Sequence, residues 1–213
     1  MTSRMADPVF AKTQREGLYA PHVAPVNRLV DRLRDAEGRG WAPHVAPVHG
    51  GVHARLLWIL RDPGPATVDP NRQEAGFLCA ENADPTAARL CELLDLAAVD
   101  TADTLPWNAC PWFINRAPSR GELRAGTEPL NELLGLVREL EVVLLLGNHA
   151  ADAWELLAAA HPAAAARPVV LRTRHTGRQA FIGKPEQKAV WTRQQEDAFR
   201  QAGHVLRAAK ASG

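Results

Sequence analysis

Cysteine is scarce in this 213-residue chain: Cys79, Cys91 and Cys110 are widely spaced and form no Cys-x-x-Cys pair. That argues against a disulfide framework, a four-cysteine zinc site and an iron–sulfur cluster, and it fits a reducing cytoplasm. Long apolar runs are missing as well. No stretch approaches the roughly 18 apolar residues of a membrane span, and Val142–Leu146 is a strand-sized run. The opening Met1-Thr2-Ser3-Arg4-Met5-Ala6-Asp7 has no apolar segment of the kind a secretory signal carries, so a cytoplasmic location is expected. An excess of one charge is also absent: 25 Lys and Arg face 24 Asp and Glu.

The charge that is present is unevenly spread. From Arg172 onward nine basic residues stand against three acidic ones, which leaves the rest of the chain net negative. Such an end could face phosphates or be a solvated basic helix. Apolar residues at 46% and charged residues at 23% mark a globular chain, and its length suits one domain, 1–213, better than two. Ala20-Pro-His-Val-Ala-Pro-Val26 recurs identically at 42–48. Two copies are too few for a solenoid. Residues 1–50 are expected to be an irregular packing segment, apart from a short helix that starts at the apolar stripe Val26, Leu29, Val30 and Leu33 and ends near Gly38.

From Arg55 the pattern alternates. Leu56–Leu60, Thr104–Asn108, Glu141–Leu146 and Val169–Thr173 read as strands. Asp84-Pro85 opens a helix to about Leu96, and Ser119-x-x-Glu122 is a capping box for one reaching about Leu140. Gly147-Asn148 opens a helix to about Ala160, and Pro185 opens a C-terminal helix over about 185–209. The alternation implies a three-layer α/β/α sandwich with a central, mostly parallel four-stranded sheet.

In such sheets ligands bind beyond the carboxyl ends of the strands. Asp62, Pro63 and Gly64 follow the first strand, Asn108 ends the second, Gly147-Asn148-His149 follows the third, and Arg174-His175-Thr176-Gly177-Arg178 follows the fourth. Each has an ordinary structural role when taken alone, since Asp before Pro-Gly forms turns and Asn at a strand end bonds backbone. Together they bring a carboxylate, an amide and an imidazole to one edge, and burying such groups unpartnered costs several kcal/mol. His44, His49 and His53, with His22, match no zinc spacing, so no metal is expected. Trp107 and Trp112 read as packing residues, Trp58, Trp154 and Trp191 as core, His149 as a helix-start residue and Cys110 as a small buried one. Gly147-Asn148 lacks the Gly-rich loop of a dinucleotide site.

Three segments carry a family resemblance: Ile59-Leu-Arg-Asp-Pro-Gly-Pro-Ala-Thr67, Leu105-Pro-Trp-Asn-Ala-Cys-Pro-Trp112 and Arg174-His-Thr-Gly-Arg-Gln179, with Phe77 fifteen residues after Asp62. Over roughly 45–183 the chain resembles the uracil-DNA glycosylase superfamily, in a cluster-free, actinobacterial-type branch. The resemblance implies a monomeric DNA glycosylase without cofactor that hydrolyses the N-glycosidic bond of uracil, or a related damaged base, in DNA. It implies that Asp62 activates the water, His175 hydrogen-bonds uracil O2, Asn108 reads N3 and O4, and Phe77 stacks on the base. Pro63 and Gly64 would line the base pocket, and Arg174, Arg178 and Gln179 would contact DNA. Two departures stand out: Gly64 replaces a bulky residue that excludes the thymine methyl, and His175-Thr-Gly-Arg-Gln179 replaces the usual His-Pro-Ser-Pro. They keep open a second reading, a nucleic-acid- or nucleobase-binding protein of the same fold without activity. A third is a hydrolase of nucleotides or small esters that uses Asp62 and His175.

Overall fold

In a computed structural model of the protein, which describes residues 3–34, 36–68 and 76–212, four strands form the centre. They are β1 (Leu56–Leu60), β2 (Thr104–Asn108), β3 (Val142–Leu146) and β4 (Val169–Thr173). The order is β2-β1-β3-β4 and every neighbouring pair is parallel. Parallel pairing requires crossovers, and helices supply them: α3 (Pro85–Ala97), α4 (Arg120–Ala125), α5 (Thr127–Leu136), α6 (Asn148–Ala160) and α7 (Pro162–Ala165). Helices α1 (Pro8–Glu16) and α2 (Ala24–Leu33) precede the sheet, and α8 (Pro185–Ser212) closes the chain.

The strands read as continuous apolar runs because both sheet faces are buried. Leu57, Ile59, Leu105, Trp107, Val143 and Leu145 meet Val26, Leu29 and Val30 of α2, Leu130, Leu133 and Leu134 of α5, and Trp154 and Leu157 of α6. The alternate residues, Leu56, Trp58, Val142, Leu144 and Leu146, meet Leu90, Leu93 and Leu94 of α3 and Phe199, Ala202 and Leu206 of α8. The chain leaves β1 for β2 on one side and returns past it to β3 on the other. That reversal opens a crevice at the carboxyl ends of the central strands.

Local signals set the helix ends. Asp84 Oδ1 accepts from the Thr86 and Ala87 N–H groups at 2.9 and 3.0 Å, and Ser119 and Glu122 form the reciprocal capping box. The helix it opens does not run unbroken to Leu140 as expected. It ends at Ala125, and α5 continues to Leu136 beyond Gly126. A Cβ on Gly126 would lie 2.3 Å from the Ala109 carbonyl oxygen, so α4 and α5 join where the chain leaving β2 passes closest. Trp191, expected in the core, is half-buried with the Arg174 guanidinium 3.8 Å above its ring.

The N-terminal region is more regular than expected. Asp7-Pro8 starts α1 as Asp84-Pro85 starts α3, but α1 buries only Ala11 and Gln14, so no apolar stripe announces it. The duplicated heptapeptide takes two conformations. Its first copy runs into α2 at Ala24, whereas the second is largely extended and bridges Leu78 through Val45. His22 Nε2 of the first copy contacts Pro47 O of the second at 2.8 Å, and Asn27, directly after the first copy, donates from Nδ2 to Val45 O at 3.0 Å and accepts from Val45 N–H at Oδ1 at 2.9 Å. Before α1, Arg4 pairs with the fully buried Glu81 carboxylate, and Met5 N–H donates to Glu81 O.

Substituting Gly126→Ala should destabilise the protein by about 1–3 kcal/mol, the usual cost of overpacking. Chemical denaturation measures it; an unchanged midpoint would mean that the approach to Ala109 relaxes freely.

Candidate active site

Beyond β1 the chain keeps its pairing with the β2 exit, since Ala109 N–H donates to Leu60 O at 2.8 Å and Cys110 N–H to Arg61 O at 2.9 Å. Pro63 then turns it away. Asp62 is thereby fixed with only 3% of its side chain exposed. Its Oδ1 accepts from Arg61 Nε, and its Oδ2 is buried without a partner. Asn108, the last residue of β2, stands opposite Leu60 and is 1% exposed; its Nδ2 is also buried without a partner.

His175 follows β4. The Gly177 N–H donates to His175 Nδ1 at 2.8 Å, so the proton of a neutral ring resides on Nε2. Burial, then Arg61 and His149, push the imidazole down to about 4, so it is neutral at physiological pH. Gly147 brings the β3 exit close: a Cβ there would lie 3.4 Å from His175 Cβ, and its φ of +100° is one that glycine tolerates. Gly64 forms the opposite kind of gap. A Cβ at Gly64 would meet nothing within 4 Å, while its carbonyl is held by Thr67 Oγ1 at 2.7 Å.

These residues share one cleft of about 1470 Å³, wider than the few hundred Å³ of a small-ligand pocket. Asp62, Pro63, Gly64, Asn108, His175, Arg174, Arg178 and Gln179 all line it. Arg174 also donates to Ala180 O at 3.1 Å, and Arg178 and Gln179 are exposed in the turn that follows.

Phe77 does not join them. It is 4% exposed and packs in a separate cluster with Ala46 and Cys79, against Met5, Leu18 and Val48. The cause is the bridge to Val45: Leu78 N–H donates to His44 O and Ala46 N–H to Leu78 O. Alternation along this paired segment sends Leu78 to the cleft and Phe77 the other way. The stacking role expected of Phe77 is therefore not met in this arrangement.

Arg61 and His149, to which the sequence reading gave no part in the chemistry, both line the cleft and both act on His175. The signal for Arg61 was its place at a strand end, directly before Asp62. Trp58 is core at 2% exposure, yet it also floors the cleft, and its Nε1 lacks a partner.

Other reactive groups are occupied. Burial pushes the Cys79 thiol up to about 12 and those of Cys91 and Cys110 to about 11, so none offers a thiolate. His49 is pushed down to about 3 by burial and bonds Thr104 Oγ1 and the Ala80 N–H. His44 lies between Asp31 and Arg34, His22 contacts Pro47 O, and His53 faces Glu139. Among the described residues no group of three His, Cys, Asp or Glu side chains could hold a metal ion.

The carboxyl edge of an all-parallel sheet thus brings a neutral imidazole, a buried amide and a buried carboxylate to one cleft. The family model described as the Uracil DNA glycosylase superfamily matches residues 48–186, and the chain belongs to that superfamily. Its fold is thus a DNA glycosylase-type fold. No curated protein matches the chain.

Nitrogen-15 NMR should find His175 as the neutral Nε2–H tautomer from pH 5 upward, protonating near pH 4. An unfolded His takes its proton near pH 6.5. Since the folded ring resists protonation, this residue's contribution to stability falls as pH drops from about 6.5 to 4. A His175 titration near 6.5 would contradict this environment.

Proposed function

We propose that the protein is a monofunctional DNA glycosylase that hydrolyses the N-glycosidic bond of uracil, or a closely related damaged base, in DNA. The observation that carries this reading is the pair of buried, unpartnered atoms, Asp62 Oδ2 and Asn108 Nδ2, in a cleft shared with a neutral His175. Each such atom costs about 1–3 kcal/mol while it stays unpaired. A ligand that pairs them recovers that cost.

A base inside a duplex is out of reach, so it has to be extruded, at a cost of a few kcal/mol. The Asn108 side chain then donates from Nδ2 to uracil O4 and accepts from N3–H at Oδ1. Cytosine presents the reverse pattern and leaves both groups unpaired, and sites of this type discriminate by about 10⁴. The neutral His175 donates from Nε2–H to O2, where negative charge builds as the base departs. Asp62 Oδ2 aligns the water that attacks C1′, and its negative charge supports the cation forming on the sugar. Arg174, Arg178 and Gln179, on the cleft wall, contact the DNA around the extruded nucleotide. The reaction needs no cofactor, and we place it in a cytoplasmic monomer; no described helix is long and apolar enough to cross a membrane.

Incubation with uracil-containing oligonucleotides followed by alkali should give strand scission, and Asp62→Asn should lower the single-turnover rate at least about 100-fold with a much smaller change in DNA affinity. No scission on single- or double-stranded uracil, hypoxanthine or mismatched substrates would sink the reading. Salt-dependent DNA binding without base release would instead identify a binding protein of this fold.

The open space at Gly64 bears on substrate width. Gly64→Tyr should reduce release of 5-substituted pyrimidines more than release of uracil, read as the ratio of the two rates. An unchanged ratio would remove Gly64 from the base pocket.

A further inference from the structure

Arg61 lies between the two groups that carry the proposed chemistry. Its Nε donates to Asp62 Oδ1, and its guanidinium and the His149 imidazole are the neighbours whose charge acts on His175. Most other charges on the cleft are committed elsewhere. Asp84 caps α3, Arg172 pairs with Glu155, and Asp197 pairs with Arg200. Arg174 stacks on Trp191, and Arg178 is exposed on the rim.

The Arg61 backbone is itself fixed, because its carbonyl accepts from Cys110 N–H at 2.9 Å. A carboxylate bonded to a charged donor at one oxygen loses its freedom to rotate. The oxygen left without any protein donor is then one identified atom, Oδ2. We propose that Arg61 is a positioning residue for the glycosylase reaction: by holding Asp62 Oδ1, it leaves Oδ2 as the oxygen that aligns the attacking water. The proposal rests on the glycosylase reading.

A cation beside Asp62 would oppose the positive sugar if its charge were felt as strongly as the carboxylate's. It is not, because the Arg61 side chain is 41% exposed against 3% for Asp62, and solvent screens the more exposed charge. The same guanidinium adds to burial in disfavouring an imidazolium at His175. Lysine would preserve this charge but not the planar Nε–H that meets Oδ1.

The test compares wild type with Arg61→Lys and Arg61→Gln. It measures single-turnover release of uracil from an oligonucleotide at saturating protein across pH, and the ¹⁵N titration of His175 in the free proteins. Both variants should slow the step about tenfold or more at neutral pH. Only Arg61→Gln should move the His175 titration, and the acid limb of the rate, to higher pH, because removing a nearby cation makes the ring easier to protonate. Variants with wild-type single-turnover rates, or variants that lose DNA affinity alone, would overturn the proposal while leaving the glycosylase reading intact. An unmoved His175 titration in Arg61→Gln would also count against it. A wild type that releases no base would overturn the glycosylase reading, and this proposal with it.

Discussion

Asp62 Oδ2 and Asn108 Nδ2 are buried polar atoms with nothing to bond, and the molecule has to hold them that way. It does so at the carboxyl end of the β1–β2 pair. β1 and β2 are neighbours in register, and their apolar side chains are covered on both faces. The pairing continues past the strand ends through Leu60 O and Arg61 O. The apolar interior therefore surrounds two polar groups that have no protein partner.

The same burial sorts the ionisable groups. It raises the three thiols and lowers His49 to about 3, so the thiols stay protonated and His49 neutral at physiological pH. At His175 it combines with the charge of Arg61 and His149 and with the Gly177 N–H, which together select one protonation state and one tautomer. Asp62 and Arg61 are adjacent charges of the site with very different exposure. That asymmetry lets an anion dominate the interior of the cleft although its counter-ion is next in sequence.

Much of this was legible in the residues. The four strands announce themselves because apolar runs such as Leu56–Leu60 and Val142–Leu146 have few alternatives in a chain this short, and Asp84-Pro85 marks a helix start without ambiguity. Strand ends then place Asp62, Asn108 and His175 on one edge, because a parallel sheet has only one carboxyl edge. Phe77 was not legible: its direction depends on the bridge that its neighbour Leu78 makes to Val45, 33 residues before Leu78, and no local pattern records that pairing. The break at Gly126 is equally non-local, set by the carbonyl of Ala109. Helix α1 escaped notice because it buries almost nothing apolar. The two conformations of one heptapeptide show the limit plainly, since identical residues cannot by themselves predict different outcomes.

The ion pair between Arg4 and Glu81 separates two boundaries that are easily confused. The matched segment, 48–186, contains Asp62, Asn108 and His175, whereas Gln194, Asp197, Ala198 and Gln201 of α8 line the same cleft from outside it; the segment also contains a carboxylate with no exposed surface whose cation lies outside it. Phe199 and Leu206, which cover one sheet face, lie beyond its other end. Inherited chemistry and autonomous folding therefore have different lengths in this chain. The flanks are part of the folded unit, and cutting at the edges of the match would strip the counter-ion from Glu81 and α8 from one face of the sheet.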